Sequence, residues 1–177
     1  MDFVSSTSQF VAFLFASLLF IQVPGPSLLF TIGRALTVGR RDALLSAVGN
    51  GIGVFGQIVA LAIGLGALVA ASATAFTVLK LAGAAYVAYL GVQAIRHRGD
   101  ARLAIAGRSG ILQPSSAWGS IRTGTVDGVT NPKTLVFSAA FLPQFIDSSA
   151  PAAVQLLILG AIFCAMAIVS DGCWVVA

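Results

Sequence analysis

Residues 22–41 read Gln-Val-Pro-Gly-Pro-Ser-Leu-Leu-Phe-Thr-Ile-Gly-Arg-Ala-Leu-Thr-Val-Gly-Arg-Arg. This stretch lies inside an apolar run that begins near Phe10 and ends near Ile32, long enough for the ~20 residues that cross a bilayer as a helix. Pro24, Gly25 and Pro26 interrupt that helix. Proline removes a backbone N–H and clashes with the preceding turn, and glycine adds conformational freedom. Backbone groups freed at membrane depth are costly unless protein or a water-lined cavity satisfies them, so a broken spanning helix points to a binding site. A plain proline kink is the competing reading of one such motif.

Composition supports the membrane setting. Hydrophobic residues make up 58% of the chain, charged residues 9%, and the mean hydropathy is +0.97. Soluble domains carry roughly 25% charged residues. The fold class expected is an all-α integral membrane protein. The net charge of +4 does not indicate a nucleic-acid partner, because the cations cluster in loops between apolar runs. Cys164 and Cys173 share one apolar segment and match no zinc or redox spacing, and His97 is the single histidine. No metal or cofactor is expected, and no Lys or Arg precedes the first apolar run as a signal peptide requires.

Outward from the quoted stretch, Arg34, Gly39, Arg40, Arg41 and Asp42 read as a short loop. A second apolar segment follows from about Ala43 to Ala71, rich in glycine. Gly49 and Gly53 form a small-xxx-small pair that permits close helix packing, either within the chain or in a homo-oligomer. Gly51, Gly53 and Gly56 also match the dinucleotide fingerprint, but no strand precedes them and no acid lies between Asp42 and Asp100 to hold a ribose. Asn50 and Gln57 suit hydrogen bonds between helices or the lining of a path.

A third segment runs from about Ala75 to Ile95. Lys80 near its start is placed to snorkel, and Tyr86 and Tyr89 read as packing or interface residues. From Arg96 to Arg122 the chain is polar and basic. The fourth segment runs from about Thr123 to Phe145 and the fifth starts near Ala152. This divides the chain into a first three-helix half (1–95), a basic loop (96–122) and a second half (123–177). Arg34, Arg40 and Arg41 join segments one and two; Arg96, Arg98, Arg102, Arg108 and Arg122 join three and four; the other connections have no Lys or Arg. With five spans, all basic loops fall on one side. The positive-inside tendency makes that side the cytoplasm and puts the N-terminus outside.

A second break, Thr130-Asn131-Pro132-Lys133, opens the second half. Pro24 and Pro132 each precede a Leu/Phe-rich stretch. Two halves of three spans would sit inverted, with a site between the broken helices, as in secondary transporters. That pattern expects a sixth span, and so a shortened chain. Asp127 and Asp171 are the acids least easily explained as loop residues, and charges within spans often mark ion pathways or proton relays. Burial and a nearby lysine act on a carboxylate in opposite senses, which suits proton loading and release.

Taken in order, Val23-Pro24-Gly25-Pro26-Ser27, Gly39-Arg40-Arg41, Leu79-Lys80-Leu81-Ala82-Gly83-Ala84-Ala85-Tyr86, Tyr89-Leu90-Gly91, Thr130-Asn131-Pro132-Lys133 and Phe141-Leu142-Pro143-Gln144-Phe145 resemble the LysE/RhtB family of bacterial amino-acid exporters. The resemblance covers nearly the whole chain. It implies a six-span inner-membrane protein that exports amino acids or derivatives such as homoserine, its lactone, threonine or lysine-like solutes, driven by the proton gradient. The substrate would be a zwitterion. Broken helices supply N–H donors for its carboxylate and carbonyl acceptors for its ammonium. The candidate binding residues are Pro24, Gly25, Pro26, Ser27, Asn131, Pro132 and Lys133, and the candidate proton-coupling residues are Asp127 and Asp171. The expected partners are an amino-acid-like solute and membrane lipid. A membrane enzyme acting on lipid is the alternative, but it would show a surface cluster of His, acid or Ser, which is missing here. A structural assembly partner would not need two broken, polar spans.

Overall fold

The computed structural model describes residues 7–71, 116–147 and 150–177, together with separate positions between 74 and 96. The third expected span, with Lys80 and Tyr86, and the basic loop up to residue 115 lie outside the described residues, except for isolated positions such as the exposed Tyr89. The described elements are helices α1 (Thr7–Gln22), α2 (Pro26–Thr37), α3 (Arg40–Ala71), α4 (Ala117–Thr130) and α5 (Pro132–Phe141), a 3₁₀ turn (Leu142–Phe145) and α6 (Ala152–Val176). The protein is an all-helical membrane protein. Among the described residues, α3 and α6 are long and apolar enough to cross a bilayer, and α1 with α2 forms a third candidate span bent by 55° at its break.

Each break ends where proline can begin a new helix. Pro26 and Pro132 both occupy the first helical turn, where a missing N–H costs nothing. Pro26, rather than Pro24, is therefore the counterpart of Pro132. Asn131 caps α5, its Oδ1 accepting from the Lys133 N–H at 2.9 Å. Gly25 stands in the same place before α2 and offers no side-chain cap.

Two stretches differ from the sequence reading, and in the first of them Arg40, Arg41 and Asp42 form the opening turn of α3 rather than a loop. Arg34 is not in a loop: α2 continues to Thr37 and buries Arg34, whose Nη2 donates to Ser120 Oγ at 3.1 Å. The helix stops because Gly39 adopts a φ of 101°, with the Val38 and Gly39 N–H groups both closing on the Arg34 carbonyl. The second difference is α4, which starts at Ala117, inside the stretch read as basic loop. Ser116 starts it, accepting from the Gly119 N–H at 3.1 Å, and Arg122 projects from the helix as an exposed residue. At the Gly39 stop, Gly39→Ala is expected to destabilise the protein by about 1–2 kcal/mol, the left-handed penalty for a side chain. Thermal unfolding in detergent measures it.

Glycines set the central packing. A Cβ on Gly49 would sit 2.1 Å from the Ile121 carbonyl oxygen, and one on Gly53 2.3 Å from that of Thr125. On the opposing helix, Gly124 and Gly128 stand against the carbonyls of Ser46 and Asn50 at 2.0 and 2.3 Å by the same measure. The paired numbers rise together, so α3 and α4 run in the same direction with their backbones in contact. Gly49 and Gly53 are thus occupied within the chain, which removes them as the basis for self-association. The matching pair Gly124-xxx-Gly128 was equally visible in the sequence. Gly51 lies against Ile168 and Gly160 against Ile58, so α6 runs antiparallel to α3. Gly51, Gly53 and Gly56 all lie within the uninterrupted α3, as expected of a false nucleotide fingerprint.

An aromatic core closes one end. Phe20 and Phe137 stack with centroids 3.7 Å apart, Phe137 lies 4.8 Å from Phe163, and Phe13 meets Phe145 edge-on at 5.5 Å. This ties α1, α5, the 3₁₀ turn and α6 together. The other end is polar, and the site lies between.

Candidate functional site

The break between α1 and α2 ends the helical ladder at α1, where the Phe20 carbonyl accepts from the Val23 N–H at 3.2 Å and has room for a second donor. Lys133 supplies further donors from the other half of the chain. Its Nζ donates to the Val23 carbonyl at 2.6 Å and the Phe20 carbonyl at 3.1 Å, and lies 4.4 Å from the centroid of the Phe20 ring. A cation at a helix C-terminus also complements the helix dipole. Gly25 makes this possible: a Cβ there would come within 2.7 Å of Lys133 Cδ.

The second break is satisfied in a parallel way. Gln57 Nε2 donates to the Val129 carbonyl at 2.7 Å, and Thr134 Oγ1 donates to Gln57 Oε1 at 3.2 Å. Gln57 thereby joins α3 to the end of α4 and the start of α5. Each break is completed by a side chain more than 70 residues away.

Ser27 links the two breaks. Its hydroxyl donates to Asp127 Oδ2 at 2.8 Å and accepts from Asn50 Nδ2 at 2.9 Å and from Asn131 Nδ2. A hydroxyl has one donor and two acceptor positions, so protein groups fill its whole capacity. Asn50 Nδ2 also donates to Asp127 Oδ2 at 2.8 Å. Asp127 is therefore built into a network between α2, α3, α4 and α5.

A cavity of about 50 Å³ opens beside this network. That is several times the ~10–15 Å³ that one water needs on the same measure. Lys133 and Asp171 both line it, with Gly25, Ser27, Asn50 and Asn131. Asp171 is 8% exposed and borders the cavity from α6. Because Gly25 offers no cap and Pro26 has no N–H, the Ser27 and Leu28 N–H groups begin α2 without helical partners, and both residues border the cavity.

Of the candidate binding residues, Gly25, Ser27, Asn131 and Lys133 meet at the cavity, and Asp171 faces them. Pro24, Pro26 and Pro132 are exposed and border no part of it; they shape the breaks. The cavity also contains residues that the sequence did not single out for a site: Val54, Phe163, Cys164 and Ala167. Helical spacing back from Asp171 reaches Ala167 and Cys164 on one face, the signal that could have found them.

A family model for LysE type translocator matches residues 18–177. The chain belongs to this family. An uncharacterized membrane protein of Vibrio cholerae is 39% identical to the translocator over 150 residues, 85% of this chain and 71% of the relative. A homoserine/homoserine lactone efflux protein of Salmonella typhimurium is 37% identical over 149 residues, covering 84% and 70%. A leucine efflux protein of Salmonella typhimurium is 27% identical over 139 residues, covering 78% and 64%. No solved structure gives a significant match to the translocator.

Proposed function

We propose that this translocator exports amino acids or close derivatives across the bacterial inner membrane, coupled to the proton gradient, with the basic loops cytoplasmic and the N-terminus outside. One observation carries the reading: one cavity at two helix breaks is bordered by a cation, Lys133, and an anion, Asp171. Charges inside a span are expensive and mark function. An α-amino acid carries the complementary pair. Its carboxylate meets the third Lys133 N–H and the open N–H groups of Ser27 and Leu28, at the positive end of α2. Its ammonium meets Asp171. Gly25, Ser27, Asn131 and Lys133 form the binding wall, while Pro24, Pro26 and Pro132 hold the helix ends open toward it. The relatives named for homoserine, homoserine lactone and leucine efflux support the same substrate class.

Proton coupling is assigned to Asp171, which faces the substrate, and Asp127, which reaches it through Ser27 and Asn50. In reconstituted vesicles loaded with a labelled amino-acid panel, efflux is expected to follow an imposed pH gradient. Asp171→Asn and Asp127→Asn are each expected to abolish the gradient-dependent part. Wild-type rates and pH dependence in both variants count against the relay.

A further inference from the structure

The cavity has a second end that the zwitterion does not use. Along α6 its wall passes from Asp171 to Ala167, one turn and about 6 Å on, and then to Cys164 and Phe163 one turn further. Opposite, α3 passes from Asn50 to Val54 in the antiparallel sense. Along α6 and α3 the wall therefore turns from polar to apolar, while Lys133 and Thr134 border the cavity from α5. Asp171 and Lys133 are the charged residues that border it, and both lie where the zwitterion's charges would sit.

We propose that this apolar end, walled by Val54, Phe163, Cys164 and Ala167, is the side-chain subsite, and that it takes uncharged side chains of limited bulk. The assignment rests on the zwitterion reading above and narrows it. With its two charges engaged at Asp171 and Lys133, an α-amino acid directs its side chain toward Ala167 and Cys164. A third charge there meets no counter-charge and no set of hydrogen-bonding partners, and burying it uncompensated is costly. Lysine-like and acidic side chains are excluded, whereas aliphatic or singly hydroxylated ones are admitted. Bulk is limited from α6. Phe163 is 2% exposed and held in the aromatic core, so it cannot yield. Ala167 and Cys164 are the small residues of this wall, and their size sets the room left for the substrate. They are specificity-determining residues.

The test is equilibrium binding of labelled glycine, alanine, homoserine, leucine, lysine and glutamate to the purified protein in lipid vesicles. Wild-type protein is expected to bind homoserine or leucine at least roughly tenfold more tightly than lysine or glutamate. Ala167→Leu is expected to weaken leucine roughly tenfold or more while leaving glycine and alanine within about threefold, since one methylene in an apolar pocket already changes binding by about that much. Cys164→Ala acts in the opposite sense, favouring leucine over alanine relative to wild type, and it enlarges the cavity, so it serves even if Ala167→Leu fails to fold. Lysine binding as tight as leucine, or variants that shift every amino acid equally, would overturn the subsite while leaving the zwitterion reading intact. Binding of none of the panel by folded wild-type protein would overturn both.

Discussion

Lys133→Met is expected to reduce export at least about 100-fold while leaving the protein folded in the membrane. The ammonium donates to two carbonyls at the open end of α1 and supplies the positive charge of the cavity. Hydrogen bonds from a charged donor contribute about 1.5–3 kcal/mol each. If even one such interaction reaches full strength only in the transport intermediate, a loss near 2.7 kcal/mol corresponds to about 100-fold in rate. The variant also leaves Asp171 as a buried acid with no cation opposite. Efflux from vesicles gives the rate, and thermal unfolding reports the modest stability loss from the two lost Lys133 hydrogen bonds. Gly25→Ala should give a weaker form of the same defect: its Cβ would fall within 2.7 Å of the flexible Lys133 side chain, which must move away from its seat. Export at the wild-type rate in Lys133→Met would remove Lys133 from the mechanism.

Gly124→Val is expected to prevent folding. At this position even a single Cβ would sit 2.0 Å from the Ser46 carbonyl oxygen and 2.8 Å from its carbon. Those are backbone atoms of α3, and they cannot rotate out of the way. To accommodate valine, α3 and α4 must separate, which also pulls apart Gly49, Gly53 and Gly128. Overpacking a core costs about 1–3 kcal/mol and occasionally more; here it opens a whole helix interface and breaks the Asn50–Asp127 hydrogen bond with it. The expected result is loss of a monodisperse species on extraction from the membrane. Gly56→Ala and Gly64→Ala are the controls, since a Cβ at either meets nothing within 4 Å, and both should behave as wild type. A normal elution profile for Gly124→Val would show that the close α3–α4 contact is dispensable.

The helix breaks were readable because their cause is local: Pro26 and Pro132 each constrain their own backbone, and Asn131 caps the helix it precedes. Membrane insertion was readable from composition alone, since 58% hydrophobic and 9% charged residues leave little polar surface for water. Gly49-xxx-Gly53 announced a close helix contact, but not the partner. Boundaries were less secure. Arg34 looked like a loop cation because charge is normally excluded from a buried helix face, and here Ser120 receives it.

What the sequence by itself determined is the membrane class, the two broken helices and the presence of Asp127 and Lys133 beside the second break, because each follows from composition or from residues a few positions apart. Only the tertiary structure decided that Lys133 closes the end of α1, that Gln57 closes the end of α4, that Ser27 joins Asp127 to Asn50 and Asn131, and that Asp171 faces Lys133 across a cavity. These pairings link residues dozens to more than a hundred positions apart. A freed backbone carbonyl requires some donor, but its own sequence does not name one. The choice is made when α3 and α4 pack backbone to backbone and carry their polar side chains into reach.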